Sequence, residues 1–221
     1  MDKKELLCEL NKFLSADRIK TFESVLSNRT RHFTVAVENV FQSHNASAVM
    51  RNCDCFGIQD IHVIANNNAY ELSKDVAMGS EKWVDMHSYD RKDNNSQDCI
   101  DTIKSQGFQI VATTPHTNDV LLPKFDVTKK SAFFFGTERD GLSDIVMDQA
   151  DVFLRIPMYG FTESYNISVS AALVLHNVVT RLKKSKVNWH LSDEEVLDKK
   201  IDWAVKSISS GEQILKQLLS S

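Results

Sequence analysis

Three polar segments of this sequence contain the side chains that could bind a ligand or assist a reaction. They are HNASAVMRN (44–52), GTERDGLS (136–143) and YGFTESYNIS (159–168), and they combine amides, hydroxyls, carboxylates and arginines. Amides and hydroxyls both donate and accept hydrogen bonds, and an arginine can bind a phosphate or carboxylate in a bidentate manner. These residue types indicate a polar ligand site assembled from loops.

The same side chains also have structural interpretations. An asparagine or serine can cap a helix or a turn, an acidic residue can complement a helix dipole, and an arginine can form a structural ion pair. Such an interpretation applies to Asn45, Ser47, Arg51, Glu138, Asp140, Ser164, Asn166 and Ser168. Local capping does not, however, require three such segments in one chain.

Alternating strand and helix patterns surround the three segments. A period of two begins at His32, with Phe33, Val35 and Val37 on one side, and it predicts a strand. Further strands are predicted at 61–65, 82–88, 108–114, 132–136 and 152–157. Segments of helical length lie between several of them, one of which, 46–56, is predicted to end at Gly57. Because strand and helix alternate, we expect an α/β fold with a mostly parallel sheet, whose ligands bind beyond the carboxyl ends of the strands.

Helical patterns define the two ends of the chain. Residues 1–30 predict two helices, the second capped by Ser15, and a capping box from Ser192 to Glu195 begins the last helix. Another helix leads into the basic segment RLKKSK (181–186). Its apolar stripe is formed by Ala172, Leu175, Val179 and Leu182. We therefore divide the chain into an N-terminal helical extension (1–30), a core domain (31–185) and a C-terminal helical extension (186–221).

The composition excludes several classes of protein. A chain of 221 residues, 42% of them hydrophobic, can bury the core of one α/β domain with additions. Its four cysteines lack metal-ligand spacing, which indicates reduced thiols in a cytoplasmic protein without a metal site. No apolar run is long enough to cross a bilayer, so we expect no membrane segment.

Charge and motifs narrow the function further. The net charge of −4 conceals basic clusters near both ends of the core, which predict either an RNA-binding surface or simply a solvated one. No GxGxxG, GxxxxGK[ST], HExxH or GxSxG motif occurs, so dinucleotide binding, phosphate-loop hydrolysis, zinc peptidase and serine hydrolase activities lose their main support. The residues alone indicate a cytoplasmic α/β enzyme.

Longer stretches around the polar segments resemble a known family. HNASAVMRNCDCFG (44–57), FFFGTERDGLS (133–143) and IPMYGFTESYNISVSAALVLH (156–176) resemble, in this order, the three motifs of the SPOUT superfamily of RNA ribose methyltransferases. The similarity is greatest to the branch that methylates the D-loop guanosine of tRNA, and it extends over residues 16–184. It implies a C-terminal deep trefoil knot in the sheet, S-adenosyl-L-methionine as cofactor, and a homodimer in which each active site is completed by the partner chain.

The resemblance also assigns residues to roles. It implies cofactor contacts for Thr113, Gly136, Ile156 and Tyr165, the last of which stands where leucine is usual. It implies catalytic roles for Arg51, Asn45, Glu138, Ser164 and Asn166. A guanidinium has a pKa above about 12, so we expect Arg51 to orient the ribose hydroxyl and bind a phosphate, not to act as a base. It implies RNA binding by Arg18, Lys20, Arg29, Arg181, Lys183 and Lys184.

Other substrates and one other class of function remain open at this point. Related enzymes methylate ribosomal RNA or the wobble nucleotide of tRNA, although ribosomal relatives often carry a separate N-terminal RNA-binding domain for which residues 1–30 are too short. The alternative of a different class is a non-catalytic RNA-binding dimer that keeps the knot. We expect such a protein not to need S-adenosylmethionine, so cofactor binding distinguishes the two.

Overall fold

A computed structural model describes residues 1–40, 42–66, 73–91, 94–115, 120–137 and 139–220. The chain divides into two compact units, one formed by Arg31–Trp189 and the other by Met1–Thr30 together with His190–Ser221. The N-terminal boundary of the core coincides with the one drawn from the sequence. The C-terminal boundary lies four residues later than the predicted 185, and the two predicted extensions form one unit.

A parallel sheet forms the centre of the core unit. Its strands are β1 (Phe33–Glu38), β2 (Asp60–Ile64), β3 (Asp85–Tyr89), β4 (Gln109–Thr113), β5 (Val120–Leu121), β6 (Ser131–Phe135) and β7 (Val152–Arg155). They lie in the order β3-β2-β1-β6-β4-β7-β5, and every paired neighbour is parallel. The predicted α/β fold with a mostly parallel sheet is confirmed.

The two strands that differ most from the prediction are both at edges of the sheet, whereas the bounds of β2, β4, β6 and β7 agree with it to within two residues. β5 has only two residues, too few to give a periodic signal. β3 begins at Asp85 and not at Lys82, because Ser80–Lys82 form a short 3₁₀ turn. Edge strands are short and irregular in many proteins, which makes their limits difficult to read from a sequence.

Helices cover both faces of the sheet. Those of the core unit are α3 (Ser43–Phe56), α4 (Lys74–Ala77), α5 (Asn95–Ser105), α6 (Asp144–Asp148) and α7 (Ile167–Lys183). All six residues of β1 are buried, because Val35 packs in the cluster that contains α3 and α7, and Ala36 packs in the cluster that contains α5 and α6. A central parallel strand is covered on both sides and is therefore buried along its whole length.

The terminal unit consists of the four remaining helices in the described part of the chain. These are α1 (Lys3–Asn11), α2 (Ala16–Leu26), α8 (Asp193–Ser207) and α9 (Gly211–Ser220). Both α1 and α2 pack on α8, with Phe22 and Trp203 in edge-to-face contact at 5.5 Å between ring centroids. An amphipathic helix must bury its apolar face, and α8 provides the surface for both N-terminal helices. This packing explains why the two ends of the chain form one unit.

The predicted helix ends are confirmed at several positions. Ser15 accepts a hydrogen bond from Arg18 N, and Ser192 and Glu195 form the capping box of α8. Gly57 ends α3 in the left-handed conformation at φ 76°. Within the described residues, no helix combines the length and the apolar character that crossing a membrane would require.

Candidate active site

Three loops meet at the carboxyl edge of the sheet and enclose a cavity of about 380 Å³. They follow β6, β4 and β7, which are adjacent in the sheet, so parallel pairing brings the loops together. All four residues that the sequence assigned to the cofactor line this cavity, namely Thr113, Gly136, Ile156 and Tyr165. Ser164, one of the predicted catalytic residues, lines it as well.

The cavity wall combines apolar and charged side chains. Its apolar part is formed by Leu142, Met147, Leu154, Ile156 and Met158. Its charged side chains are Arg139, Asp140 and Asp144. A cavity of this size with apolar walls and a few polar groups is typical of sites for small molecules and cofactors. The described residues contain no cluster of three or more His, Cys, Asp or Glu side chains suited to a metal ion.

Gly136 is required by the close return of the loop that follows β6. Thr137 N donates to Gly141 O at 3.0 Å, and Gly141 N donates to Thr137 O at 3.1 Å. This turn brings Gly141 so near that a Cβ on Gly136 would lie 2.1 Å from the carbonyl carbon and oxygen of Gly141. Only a residue without a side chain fits at position 136. Because Gly136 has no Cβ, the loop can fold over the cavity.

Hydrogen bonds fix the end of β4 between its two neighbours. Thr113 Oγ1 donates to Phe134 O of β6 at 2.6 Å, and Thr114 N donates to Leu154 O of β7 at 3.0 Å. The three strand ends therefore stay in register where the cavity begins. A preorganised binding site loses less conformational entropy when its ligand binds.

A pair of amides joins the first and third polar segments. Asn166 Nδ2 donates to Asn45 Oδ1 at 3.1 Å, and Asn45 is buried. Asn166 is also the N-cap of α7, because its Oδ1 accepts from Ser168 N at 2.9 Å. The capping interpretation of Asn166 is thus confirmed, and its amide also links two segments, a contact that the sequence did not predict. Asn45, in contrast, does not cap α3, whose N-cap residue is Gln42.

Arg51 lies apart from the cavity within one chain. It is an exposed residue of α3, and the lining of the cavity does not include it. No carboxylate among the described residues forms an ion pair with Arg51. The alternative interpretation of Arg51 as a structural ion-pair residue is therefore not supported by these residues. The structure brings together the cavity residues and, separately, the amide pair, but not Arg51. Glu138 lies outside the described residues.

The predicted RNA-binding residues fall into two groups. Arg18, Lys20, Lys183 and Lys184 are exposed, as a phosphate-binding surface requires. Arg29 is only 1% exposed, and its guanidinium lies 5.4 Å from the ring centroid of Trp203.

Arg181 is half-buried and donates to Phe125 O at 2.6 Å and to Leu122 O at 3.3 Å. The structure therefore corrects the expectation for Arg29, whose side chain is buried. Arg181 stays partly exposed, although its guanidinium bonds to two backbone carbonyl oxygens, so its contact with RNA stays a prediction. Charge clustering in a sequence does not distinguish a buried arginine from an exposed one.

Glu38 is a candidate positioning residue that the sequence prediction omitted. This carboxylate at the end of β1 is 1% exposed and accepts hydrogen bonds from Ser143 N at 2.8 Å, from Ser143 Oγ at 2.7 Å and from Ser96 Oγ. Ser143 ends the loop that folds over the cavity and caps α6. A signal existed in the sequence, because a carboxylate inside a buried strand is rare unless it is paired.

Comparisons with known proteins show which family the chain resembles. The model of the SpoU rRNA Methylase family matches residues 32–176. A tRNA (guanosine(18)-2′-O)-methyltransferase of Borreliella burgdorferi is 37% identical over 212 residues, covering 96% of this chain and 95% of the relative. Another with the same name, from Thermus thermophilus, is 32% identical over 191 residues, or 86% of this chain and 96% of its own.

A solved structure shows the same fold. The crystal structure of the A. aeolicus TrmH/SpoU tRNA modifying enzyme superposes with a TM-score of 0.76 at 31% identity, covering 88% of this chain and 98% of that one. The structural match includes the parallel sheet that carries the three loops. Since the family match and these relatives extend over most of the chain, the protein belongs to the SpoU rRNA Methylase family.

Proposed function

We propose that the protein transfers the methyl group of S-adenosyl-L-methionine to the 2′-hydroxyl of the D-loop guanosine of tRNA. The observation that carries this proposal is the cavity at the ends of β4, β6 and β7, which is lined by all four residues assigned to the cofactor. The relatives named tRNA (guanosine(18)-2′-O)-methyltransferase support the target nucleotide.

The cavity residues fit S-adenosyl-L-methionine. Apolar side chains such as Leu154 and Ile156 suit the adenine ring, and the backbone around Gly136 offers close donors and acceptors. Arg139 matches the carboxylate of the cofactor, while Asp140 and Asp144 match its cationic groups. When bound, this cofactor supplies an electrophilic methyl group.

The residues of the chain position the ribose for attack. The 2′-oxygen would bond to the methyl carbon in line as the carbon–sulfur bond breaks, S-adenosylhomocysteine would leave as a neutral thioether, and the hydroxyl proton would pass to solvent. Most of the catalytic work is therefore orientation of the hydroxyl and removal of that proton. Arg51 binds a phosphate and orients the hydroxyl, because its guanidinium stays protonated. The Asn166–Asn45 hydrogen bond holds the two segments that flank this site. Glu138 and Ser164 complete the proposed catalytic set.

We propose that the active enzyme is a homodimer. Val169 and Leu173 of α7 are 43% and 39% exposed, and Tyr165 before them is 42% exposed. A spacing of four residues places Val169 and Leu173 on one face of α7, next to Tyr165, and a second copy can cover this face. Arg51 lies outside the cavity of its own chain, so in the dimer it would serve the cavity of the partner chain. Sedimentation velocity tests the assembly.

We also propose the deep trefoil knot that the resemblance implies. In this arrangement the segment after β7 threads through another part of the chain; Pro115 beyond β4 and Ile156 beyond β7 both line the cavity. A knotted crossing favours a proline–glycine turn that lets one loop pass close to another, which agrees with Pro157 and Gly160 in an otherwise proline-poor and glycine-poor chain. A crystal structure traced continuously through residues 113–166 tests the threading.

Transfer RNA is favoured over ribosomal RNA as the substrate. The alignment with the B. burgdorferi relative covers 96% of this chain, so it includes most of both terminal segments that form the helical unit. Exposed Arg18 and Lys20 on α2 supply phosphate contacts from that unit, and Lys183 and Lys184 supply them from α7 and its C-cap. A tRNA-modifying enzyme works where tRNA matures, so we propose a cytoplasmic location.

The experiment is methylation of an unmodified tRNA transcript with radiolabelled cofactor, followed by mapping of the 2′-O-methyl position. We expect one modified guanosine in the D-loop and no product from a transcript that has adenosine there. Methylation of the wobble nucleotide or of ribosomal RNA would assign another substrate. Calorimetry without heat of binding for S-adenosylmethionine would favour a non-catalytic RNA-binding protein.

A further inference from the structure

A second groove of about 400 Å³ lies beside the cofactor cavity. Pro115, Ile156 and Met158 line both the groove and the cavity, so the two are adjacent and open next to each other. The side chains that line only the groove include Arg155 at the end of β7 and three residues of the following loop, Tyr159, Phe161 and Glu163.

Two aromatic side chains of this groove are almost completely exposed. Tyr159 is 97% exposed and Phe161 is fully exposed. Aromatic rings left in water on a loop beside an active site are suited to stacking on a nucleic-acid base. Stacking on one base favours binding by roughly ten- to a hundredfold.

The same groove carries one charge of each sign. Arg155 is half-buried and Glu163 is exposed, and neither side chain has a hydrogen-bond or ion-pair partner among the described residues. A carboxylate accepts two hydrogen bonds side by side, and the Watson–Crick edge of guanine presents two adjacent donors, N1–H and the N2 amino group. A guanidinium is suited to the phosphate of the same nucleotide.

We propose that this groove binds the guanine base of the nucleotide that is methylated. Tyr159 and Phe161 stack on the base, Glu163 accepts hydrogen bonds from its Watson–Crick edge, and Arg155 pairs with the adjoining phosphate. Because the groove opens beside the cofactor cavity, a base held there leaves its own ribose near the methyl donor. This inference rests on the proposed function and makes Glu163 the residue that distinguishes guanosine from other nucleotides.

The groove fits a nucleotide better than a second copy of the chain. The exposed residues Val169 and Leu173 form an apolar face on α7, as a dimer contact requires. The groove instead combines two rings with two charges of opposite sign, and buried interfacial charges need well-matched partners to avoid a desolvation cost. A base with its phosphate supplies a partner for each of these groups.

The first test compares guanosine with inosine, which lacks the N2 amino group, at the target position of the same tRNA. We expect inosine to lower the kcat/KM of the wild-type protein roughly tenfold, as loss of one hydrogen bond to a charged group does. Glu163→Gln should lower kcat/KM for the guanosine tRNA by a similar factor and should discriminate little between the two tRNAs. A matched control is Glu212→Gln, an exposed glutamate of α9. Equal discrimination in wild type and Glu163→Gln overturns the proposal.

The second test removes the aromatic rings. Tyr159→Leu and Phe161→Leu should each raise the KM for tRNA roughly tenfold while the affinity for S-adenosylmethionine and the sedimentation coefficient stay unchanged. The control is Phe13→Leu, at another exposed phenylalanine. If either loop variant dissociates a dimer, or if both bind tRNA as wild type does, the proposal is wrong.

The proposed function and the groove fail in different ways. A wild-type protein that methylates no RNA contradicts the proposed function. In that case the affinities of wild type and Glu163→Gln for the labelled guanosine and inosine tRNAs, measured by fluorescence anisotropy, still decide whether the groove binds guanine. A wild-type protein that methylates tRNA while all groove variants act equally well contradicts the groove alone.

Discussion

Asn166 Nδ2 donates a hydrogen bond to Asn45 Oδ1 at 3.1 Å, across 121 residues of the chain. The bond joins the start of α7 to the first turn of α3, and a second bond, from Asn52 Nδ2 to Ser168 O at 2.8 Å, joins the same two helices. Two of the three polar segments are therefore held together by side-chain amides and not by backbone pairing.

We expect this amide pair to behave as one unit in catalysis. Asn166→Ala and Asn45→Ala should each lower the kcat/KM of methyl transfer about tenfold or more, and the double variant should lose little further activity, because residues that act together are not additive. Asn166→Ser keeps a helix-capping oxygen but not the amide donor, so it separates the two roles. Wild-type kinetics for Asn166→Ser would mean that capping alone matters.

Arg51 is expected to contribute to transfer and not to folding. Arg51→Ala should lower kcat more than about a hundredfold, because loss of an orienting charge-assisted contact affects the reacting geometry. Arg51→Lys should recover little, since an ammonium does not reproduce the guanidinium fork. Arg91→Ala is the control, at an arginine whose side chain is 94% exposed. Calorimetry with S-adenosylmethionine and sedimentation should match wild type; normal turnover would contradict the role.

Gly136→Ala should abolish cofactor binding. The new methyl group would lie 2.1 Å from the backbone of Gly141, so the loop over the cavity would have to move. Gly160→Ala is a suitable control, because a Cβ there meets nothing within 4 Å. We expect no measurable heat on titration of the first variant with S-adenosylmethionine and nearly normal affinity for the second. Equal affinities would show that the loop adapts.

Glu38 should support both stability and cofactor affinity. Glu38→Ala leaves the amide of Ser143 and the hydroxyls of Ser96 and Ser143 without their buried acceptor, which should cost about 2–4 kcal/mol of unfolding free energy. Glu38→Gln keeps one acceptor oxygen and should lose less. Urea denaturation and cofactor titration check both effects. A stability loss without any change in cofactor affinity would restrict Glu38 to a structural role.

His62 should make the protein less stable in acid. Burial is the main cause that lowers the pKa of His62 from 6.5 to about 4. Positive charge on the ring of His87, which stacks 4.8 Å away, lowers this pKa further, whereas the negative charge of Asp60 raises it. Between these two pKa values the unfolded state binds the proton more tightly, so stability is complete above about pH 6.5 and is lost as the pH falls towards 4.

The loss of stability should reach about 3 kcal/mol, since one pKa unit corresponds to about 1.4 kcal/mol. The measurement is the free energy of unfolding in urea at several pH values for wild type and His62→Gln. The variant removes the titrating ring, although its side chain can still bond with the Tyr89 hydroxyl that lies 3.0 Å from His62 Nδ1. Parallel pH dependences for the two proteins would assign the acid sensitivity to other groups.

Much of the fold follows from local patterns. Alternation at Phe33, Val35 and Val37, the cap at Ser15 and the left-handed Gly57 each depend on a few neighbouring residues, so they are readable without the tertiary structure. The order of strands in the sheet is different, because β1 pairs with β6 across almost a hundred residues and no local signal specifies that neighbour.

The sequence by itself determined which segments form strands and helices, where the three polar segments lie and, by resemblance, four residues that line the cavity. Only the tertiary structure decided that Arg29 is buried, that Glu38 holds the loop end at Ser143, and that both ends of the chain share one helical unit. The physical reason is that burial and long-range hydrogen bonds depend on which surfaces pack together, whereas helix and strand periodicity depends on spacing along the chain.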